Sequence, residues 1–256
     1  MKKVLAVVSL LVISLAAPSR AQRVSSEEQK LAASVSDSVV LLYTQDESGG
    51  MRMTCTATAY KKTLTGYRFV SAAHCVSGDT DDEQKQIKFF VTSDKQNLKS
   101  FIEVSLVEAG DKQTGDDFSI FEAKTDVVFP ITPLGDSSLL KSGDSVLDVA
   151  SPLGLGKQLF VGYISLSHVD RPKLDAGEVQ WTDVMLVNIG SGPGSSGSAI
   201  VSDDQKAIVG FLVGNFNGAT VGAICIPVSK FIAFETKVDA GKYVKTKPRD
   251  KHFFLF

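Results

Sequence analysis

The chain has 256 residues, enough for one large domain or two small ones that share a core. With 43% hydrophobic and 22% charged residues it has the composition of a soluble globular protein. Its net charge of −2 lacks the basic footprint that nucleic-acid binding requires.

Residues 1–21 read as a signal peptide. Lys2 and Lys3 form a positive start and Val4 to Ala17 an apolar run. Ser19-Arg20-Ala21 then presents small residues where a signal peptidase acts, with cleavage before Gln22. The run is shorter than the roughly 20 residues of a membrane-spanning helix, so cleavage is favoured over a retained anchor. The mature protein is expected to be secreted or periplasmic, with no stable membrane association. In an oxidising compartment Cys55 can pair with Cys75 and leave Cys225 alone, although the sequence excludes neither other pairing. Cys225 lies in the apolar run Val221 to Val228 and reads as a small buried filler.

Residues 22–35 form a polar N-terminal segment in which Ser25, followed by Glu28, can cap a short helix. Short apolar and β-branched runs broken by Gly, Ser, Asp and Asn dominate thereafter, which predicts an all-β protein. The first runs fall at 39–43, 53–60, 67–73, 87–92, 101–107 and 117–123. The acidic segment Gly78 to Glu83 matches no full calcium loop, so a solvated turn is expected there and no metal. Residues 130–145, with Pro130, Pro133 and Gly135, read as a crossing linker. A second set follows at 145–150, 158–166, 178–187, 199–201, 207–213 and 220–226. Two blocks of about six short strands are what two small closed β-barrels require, the first over about 36–129 and the second over about 143–237. Val228 to Lys237 has a helical pattern. The basic tail 238–256 ends in Phe253-Phe254-Leu255-Phe256, frayed by default but able to dock on the body or on a partner.

The chemistry centres on Gly190-Ser-Gly-Pro-Gly-Ser-Ser-Gly-Ser-Ala-Ile-Val201. Four glycines and a proline force a tight, irregular loop before a buried strand. Such a loop can hold the Ser196 hydroxyl outward while backbone N–H groups converge on one point, as a serine nucleophile beside an oxyanion hole requires. Of the three histidines, His252 lies in the tail and His168 precedes Val-Asp-Arg-Pro in a turn. His74 ends an apolar run beside Cys75, where a Cys55–Cys75 bridge would pin it, and a general base needs such a fixed ring. Asp117, with Asp116 as its neighbouring competitor, opens the run Asp117-Phe118-Ser119-Ile120-Phe121 and can orient that ring.

At these three places the chain resembles the chymotrypsin-like serine peptidases, and more closely the peptidase domain of the Deg/HtrA family, from about Val35 to Phe234. Ser71-Ala72-Ala73-His74-Cys75 resembles the histidine motif. Asp116-Asp117-Phe118-Ser119-Ile120 resembles the aspartate strand. Pro193-Gly194-Ser195-Ser196-Gly197-Ser198-Ala199 is similar to the Deg pattern Pro-Gly-Asn-Ser-Gly-Gly-Ala. Ser151-Pro152-Leu153-Gly154-Leu155-Gly156, with Gly162-Tyr163-Ile164-Ser165, resembles the loop and strand ahead of the nucleophile. Ile226-Pro227-Val228-Ser229-Lys230-Phe231 resembles the segment leading into the final helix.

Three departures are visible. Ser195 stands where Deg proteins carry Asn and zymogen-activated trypsins carry Asp, and no activation-cleavage N-terminus is recognisable. Ser198 replaces the second glycine. The chain also ends soon after the predicted helix, without room for a PDZ domain, so the regulated peptide-sensing assembly of Deg proteins is not carried over.

The resemblance implies two six-stranded β-barrels packed face to face, a short C-terminal helix, and a secreted serine endopeptidase. Its triad would be His74, Asp117 and Ser196, with the Gly194 and Ser196 amides as oxyanion hole. It implies a pocket framed by Ile189-Gly190-Ser191 and Val213-Gly214-Asn215, where the absence of charge favours a small or medium apolar side chain before the scissile bond. The partner is a protein or peptide substrate, and no cofactor is called for. The alternative is a peptidase fold without activity, serving as a binding protein or chaperone-like adaptor. A cysteine peptidase is set aside, because no cysteine has a Gly-x-Cys-Gly setting.

Overall fold

The computed structural model describes residues 26–76, 87–111, 115–169, 183–215 and 222–244. The signal peptide, Ser25, the acidic segment 78–83, the strand positions 178–182 and 220–221, and residues 245–256 with His252 lie outside the described residues.

A first helix, α1 (Ser26–Ser38), runs straight into strand β1 (Val39–Gln45). It is longer than its cap signal implies because Ala32, Val35 and Ser38 are buried on one side. That face is stapled by a Ser38–Thr132 hydroxyl contact of 2.6 Å, and by Lys157 Nζ donating to the Ser36 carbonyl at 2.7 Å.

The first six strands are β1, β2 (Met51–Lys62), β3 (Gly66–Ser71), β4 (Lys88–Thr92), β5 (Ile102–Ala109) and β6 (Ser119–Lys124). They close into an antiparallel barrel in the order β1-β2-β3-β6-β5-β4. The second six are β7 (Ser145–Ala150), β8 (Gln158–Val169), β9 (Val184–Asn188), β10 (Ala199–Ser202), β11 (Ala207–Asn215) and β12 (Ala223–Pro227). They close in the order β10-β11-β12-β9-β8-β7, and helix α2 (Val228–Asp239) follows. Closure leaves no unpaired sheet edge, which is how such short strands become stable. Among the described residues no helix is long and apolar enough to cross a membrane.

The predicted all-β architecture of two closed six-stranded barrels with a C-terminal helix is what the chain adopts. Local differences have physical causes. Strand β3 stops at Ser71, short of residue 73, because Ala73–Cys75 winds into a 3-10 turn. Strand β8 runs on to Val169, so His168 sits on a strand paired with Asp183 instead of in a turn. The crossing segment is pinned to the second barrel, with Gly135 N–H on the Ile208 carbonyl and Ile208 N–H on the Pro133 carbonyl, both at 2.8 Å.

Aromatic rings fill the seam between barrels and helix. Phe118 touches Phe211, Phe231 and Phe234, and Tyr60 stands edge-on to Phe231 at 5.0 Å. Outside that seam, Lys61 and Arg68 of the first barrel grip Glu235 and Asp239 of α2. One helix thereby locks both barrels in a fixed relation.

Candidate active site

Three residues beyond β3, His74 occupies the middle of the 3-10 turn Ala73–Cys75. The turn is clamped on one side by the Cys55–Cys75 disulfide to β2, the pairing expected from the sequence, while Cys225 is free and buried. On the other side stands Asp117, two residues ahead of β6 and 1% exposed. Its Oδ1 accepts from the His74 backbone N–H at 2.8 Å and its Oδ2 lies 2.7 Å from His74 Nδ1. An ionised carboxylate only accepts, so Nδ1 carries the proton and Nε2 is left with its lone pair. A ring held this way has the orientation and tautomer of a general base. Asp117 is itself fixed by its neighbour Phe118, whose ring is rooted in the seam. Asp116 is partly buried within the influence of Lys237 and Lys230, and burial pushes its carboxyl up.

The Ser196 loop joins β9 to β10. Gly194 and Gly197 have φ of 96° and 83°, left-handed values that side chains avoid. Gly197 is tight in space as well: a methyl there would fall 2.3 Å from Ser71 Oγ and 2.7 Å from the Ala72 nitrogen. The loop is therefore seated directly on the residues leading to His74. Thr56 N–H donates to the Ser196 carbonyl at 3.1 Å, which ties the loop to the first barrel beside Cys55. Gly197 N–H on the Leu212 carbonyl at 2.8 Å ties it to the second. Ser196 stays partly exposed between them. Ser195 is buried and closes a turn, its N–H on the Gly192 carbonyl at 2.9 Å and its Oγ accepting from Gly192 N–H at 3.3 Å.

The Gly194 amide is aimed by its neighbours. The Leu153 N–H donates to the Pro193 carbonyl at 2.6 Å. In a trans peptide the C=O and the following N–H point opposite ways, so fixing the Pro193 carbonyl turns the Gly194 N–H away from Leu153. Thr56 Oγ1 completes the brace, accepting from Ser151 N–H at 3.0 Å and donating to the Gly194 carbonyl at 2.8 Å. Neither Thr56 nor Leu153 stands out in the sequence, because both act through contacts between distant segments.

Behind the loop, Ser198 Oγ donates to Asp148 Oδ2 at 2.9 Å, with both residues fully buried. Among the described residues Asp148 Oδ1 has no hydrogen-bond partner, and burial pushes the carboxyl up to about 8. The thiol of Cys225 is pushed up too, by burial first and then by Asp148. An acid inside the apolar run Val146-Leu147-Asp148-Val149-Ala150 was the available signal for this pair.

Of the six pocket positions, Gly190, Ser191, Gly214 and Asn215 reach the surface, while the Ile189 and Val213 side chains are buried in the core. Ser191 Oγ donates to Asn215 Oδ1 at 2.5 Å and joins the two stretches. Cys55, Cys75 and His74 bring potential ligand atoms within 4.8 Å of one another, but the disulfide occupies both sulfurs, which removes the thiolates a metal would bind.

A family model described as a trypsin-like peptidase domain matches residues 55–211. Among solved structures the fold is similar to that of AlgW, an HtrA-type protease with a decapeptide, at TM-score 0.66 and 17% identity, covering 85% of this chain and 69% of that one. It is likewise similar to Deg5, at TM-score 0.64 and 17% identity, covering 84% of this chain and 95% of the other.

Proposed function

The chain belongs to the trypsin-like peptidase domain family, and from that membership we propose that it is an exported serine endopeptidase acting through Ser196, His74 and Asp117. The observation that carries the reading is the two-point grip of Asp117 on His74, on the turn against which the Ser196 loop is seated. Ser196 Oγ attacks the scissile carbonyl while His74 Nε2 takes its proton. The Gly194 and Ser196 N–H groups hold the oxyanion that forms. His74 then gives the proton to the departing amine, leaving an ester on Ser196, and water releases the acid by the same steps in reverse. Asp117 stabilises the imidazolium and remains ionised throughout.

That AlgW is found with a decapeptide supports a protein or peptide as the substrate class. The leader-like residues 1–21 and the disulfide support export to an oxidising compartment. The test uses the exported protein and its Ser196→Ala variant. Wild type is expected to hydrolyse an unfolded protein and to label with a fluorophosphonate. The variant should lose both, with turnover down by on the order of 10⁴-fold or more. Equal hydrolysis by the two proteins, or no labelling of either, would overturn the assignment.

A further inference from the structure

Gly190 and Asn215 lie in the two stretches that the resemblance places around the substrate pocket, and one aromatic ring stands against Gly190. A methyl on Gly190 would meet Phe160 Cδ1 at 2.8 Å and Cε1 at 3.1 Å. The space into which a side chain at 190 would project is thus already taken by that ring. Phe160 is partly buried and anchored against the core of the second barrel, the cluster that includes Ile164, Met185 and Ile189. Its register partner across the β7–β8 ladder is Asp148, and opposed residues share a face, so the ring enters from the barrel interior. The two stretches are strapped together by the Ser191–Asn215 hydrogen bond.

We propose that Phe160 is the specificity-determining residue: its ring is the floor of the pocket for the side chain preceding the scissile bond, and it restricts substrates to small residues such as Ala, Ser, Thr and Val. The inference rests on Ser196 being the nucleophile, and it narrows the substrate class of that site. A floor raised to the level of Gly190 leaves no depth for Leu, Phe or a long cationic side chain. A small side chain instead meets the ring edge below and the Ser191–Asn215 strap above.

The test is a peptide library varied only at that position, run on wild type, Phe160→Ala and Phe160→Leu, with fluorophosphonate labelling alongside. Wild type is expected to favour Ala over Phe by on the order of 100-fold in kcat/KM, the discrimination that pocket size alone supports. Phe160→Ala should gain at least about tenfold on Leu and Phe substrates, with Phe160→Leu between the two. Phe160→Leu, the milder change, carries the test if the alanine variant does not fold. Wild type that cleaves as readily after Phe as after Ala overturns the proposal and leaves the nucleophile in place. So do variants that still label yet keep the wild-type profile. Absence of both labelling and cleavage in wild type removes the parent reading, and this one with it.

Discussion

Leu153 donates its backbone N–H to the Pro193 carbonyl across 2.6 Å, and it does so from a left-handed backbone at φ 54°. A non-glycine residue there is strained, by about 1–3 kcal/mol, and its side chain is 70% exposed. The strain is retained where it fixes the direction of the Gly194 amide. Leu153→Pro deletes the donor and forbids the φ, so kcat should fall on the order of 10²- to 10³-fold, the cost of losing an oxyanion donor. KM should move far less. Leu153→Gly keeps the donor and suits the φ, and is expected to stay much nearer wild type. Steady-state kinetics of the two variants on one peptide check this, and equal losses in both would exclude the strut.

Asp148 makes stability depend on pH in a direction opposite to most acids. Its buried carboxyl sits at about 8 against an ordinary 3.8, so between those values the folded chain keeps a proton that the unfolded chain releases. The group's contribution is complete below the lower value, declines as pH rises, and is gone above the upper one. The slope reaches about 1.4 kcal/mol per pH unit at most. Asp148→Asn can still accept from Ser198 and does not ionise, so its urea midpoint should decline less between about pH 5 and pH 8. Parallel curves for the two proteins would contradict a protonated Asp148.

The barrels were legible because alternating short runs and turn residues carry closure plainly: both blocks of strands lie where the runs fall. Ser196, His74 and Asp117, on which the proposed mechanism rests, stand out in the sequence for another reason. Each sits where a run of regular structure breaks, and a polar residue at such a break advertises itself. Thr56, Leu153 and Phe160 were hidden because each is an ordinary strand or loop residue whose role comes from a partner about 30 to 140 residues away. Ile189 and Val213 show the converse. They belong to the two stretches that the resemblance places around the pocket, yet their side chains are buried in the core.

Phe118 couples stability to the site through a single peptide bond. Its ring is fully buried against Phe211, Phe231 and Phe234, one neighbour in the second barrel and two in α2. Phe118→Ala should cost about 3–5 kcal/mol in urea unfolding, and Phe118→Leu considerably less. Activity of the folded alanine variant should drop as well, because Asp117 loses the anchor that holds its carboxylate on His74. A variant with full turnover despite the stability loss would separate the two effects and refute the coupling.

Thr56 distinguishes bracing of the site from mere packing. Its hydroxyl is buried and shared between the Ser151 N–H and the Gly194 carbonyl, groups of the second barrel reached from the first. Thr56→Val preserves shape and deletes the hydroxyl, leaving one donor and one acceptor without their partner. Each unsatisfied group costs about 1–3 kcal/mol, so unfolding free energy should fall by about 2–6 kcal/mol. Thr56→Ser loses only a methyl group and keeps both hydrogen bonds. If the hydroxyl orients the Gly194 peptide, serine restores kcat in the folded enzyme while valine does not. If Thr56 only fills space, valine is the better substitute on both counts. The comparison of kcat with unfolding free energy for these two variants decides between them.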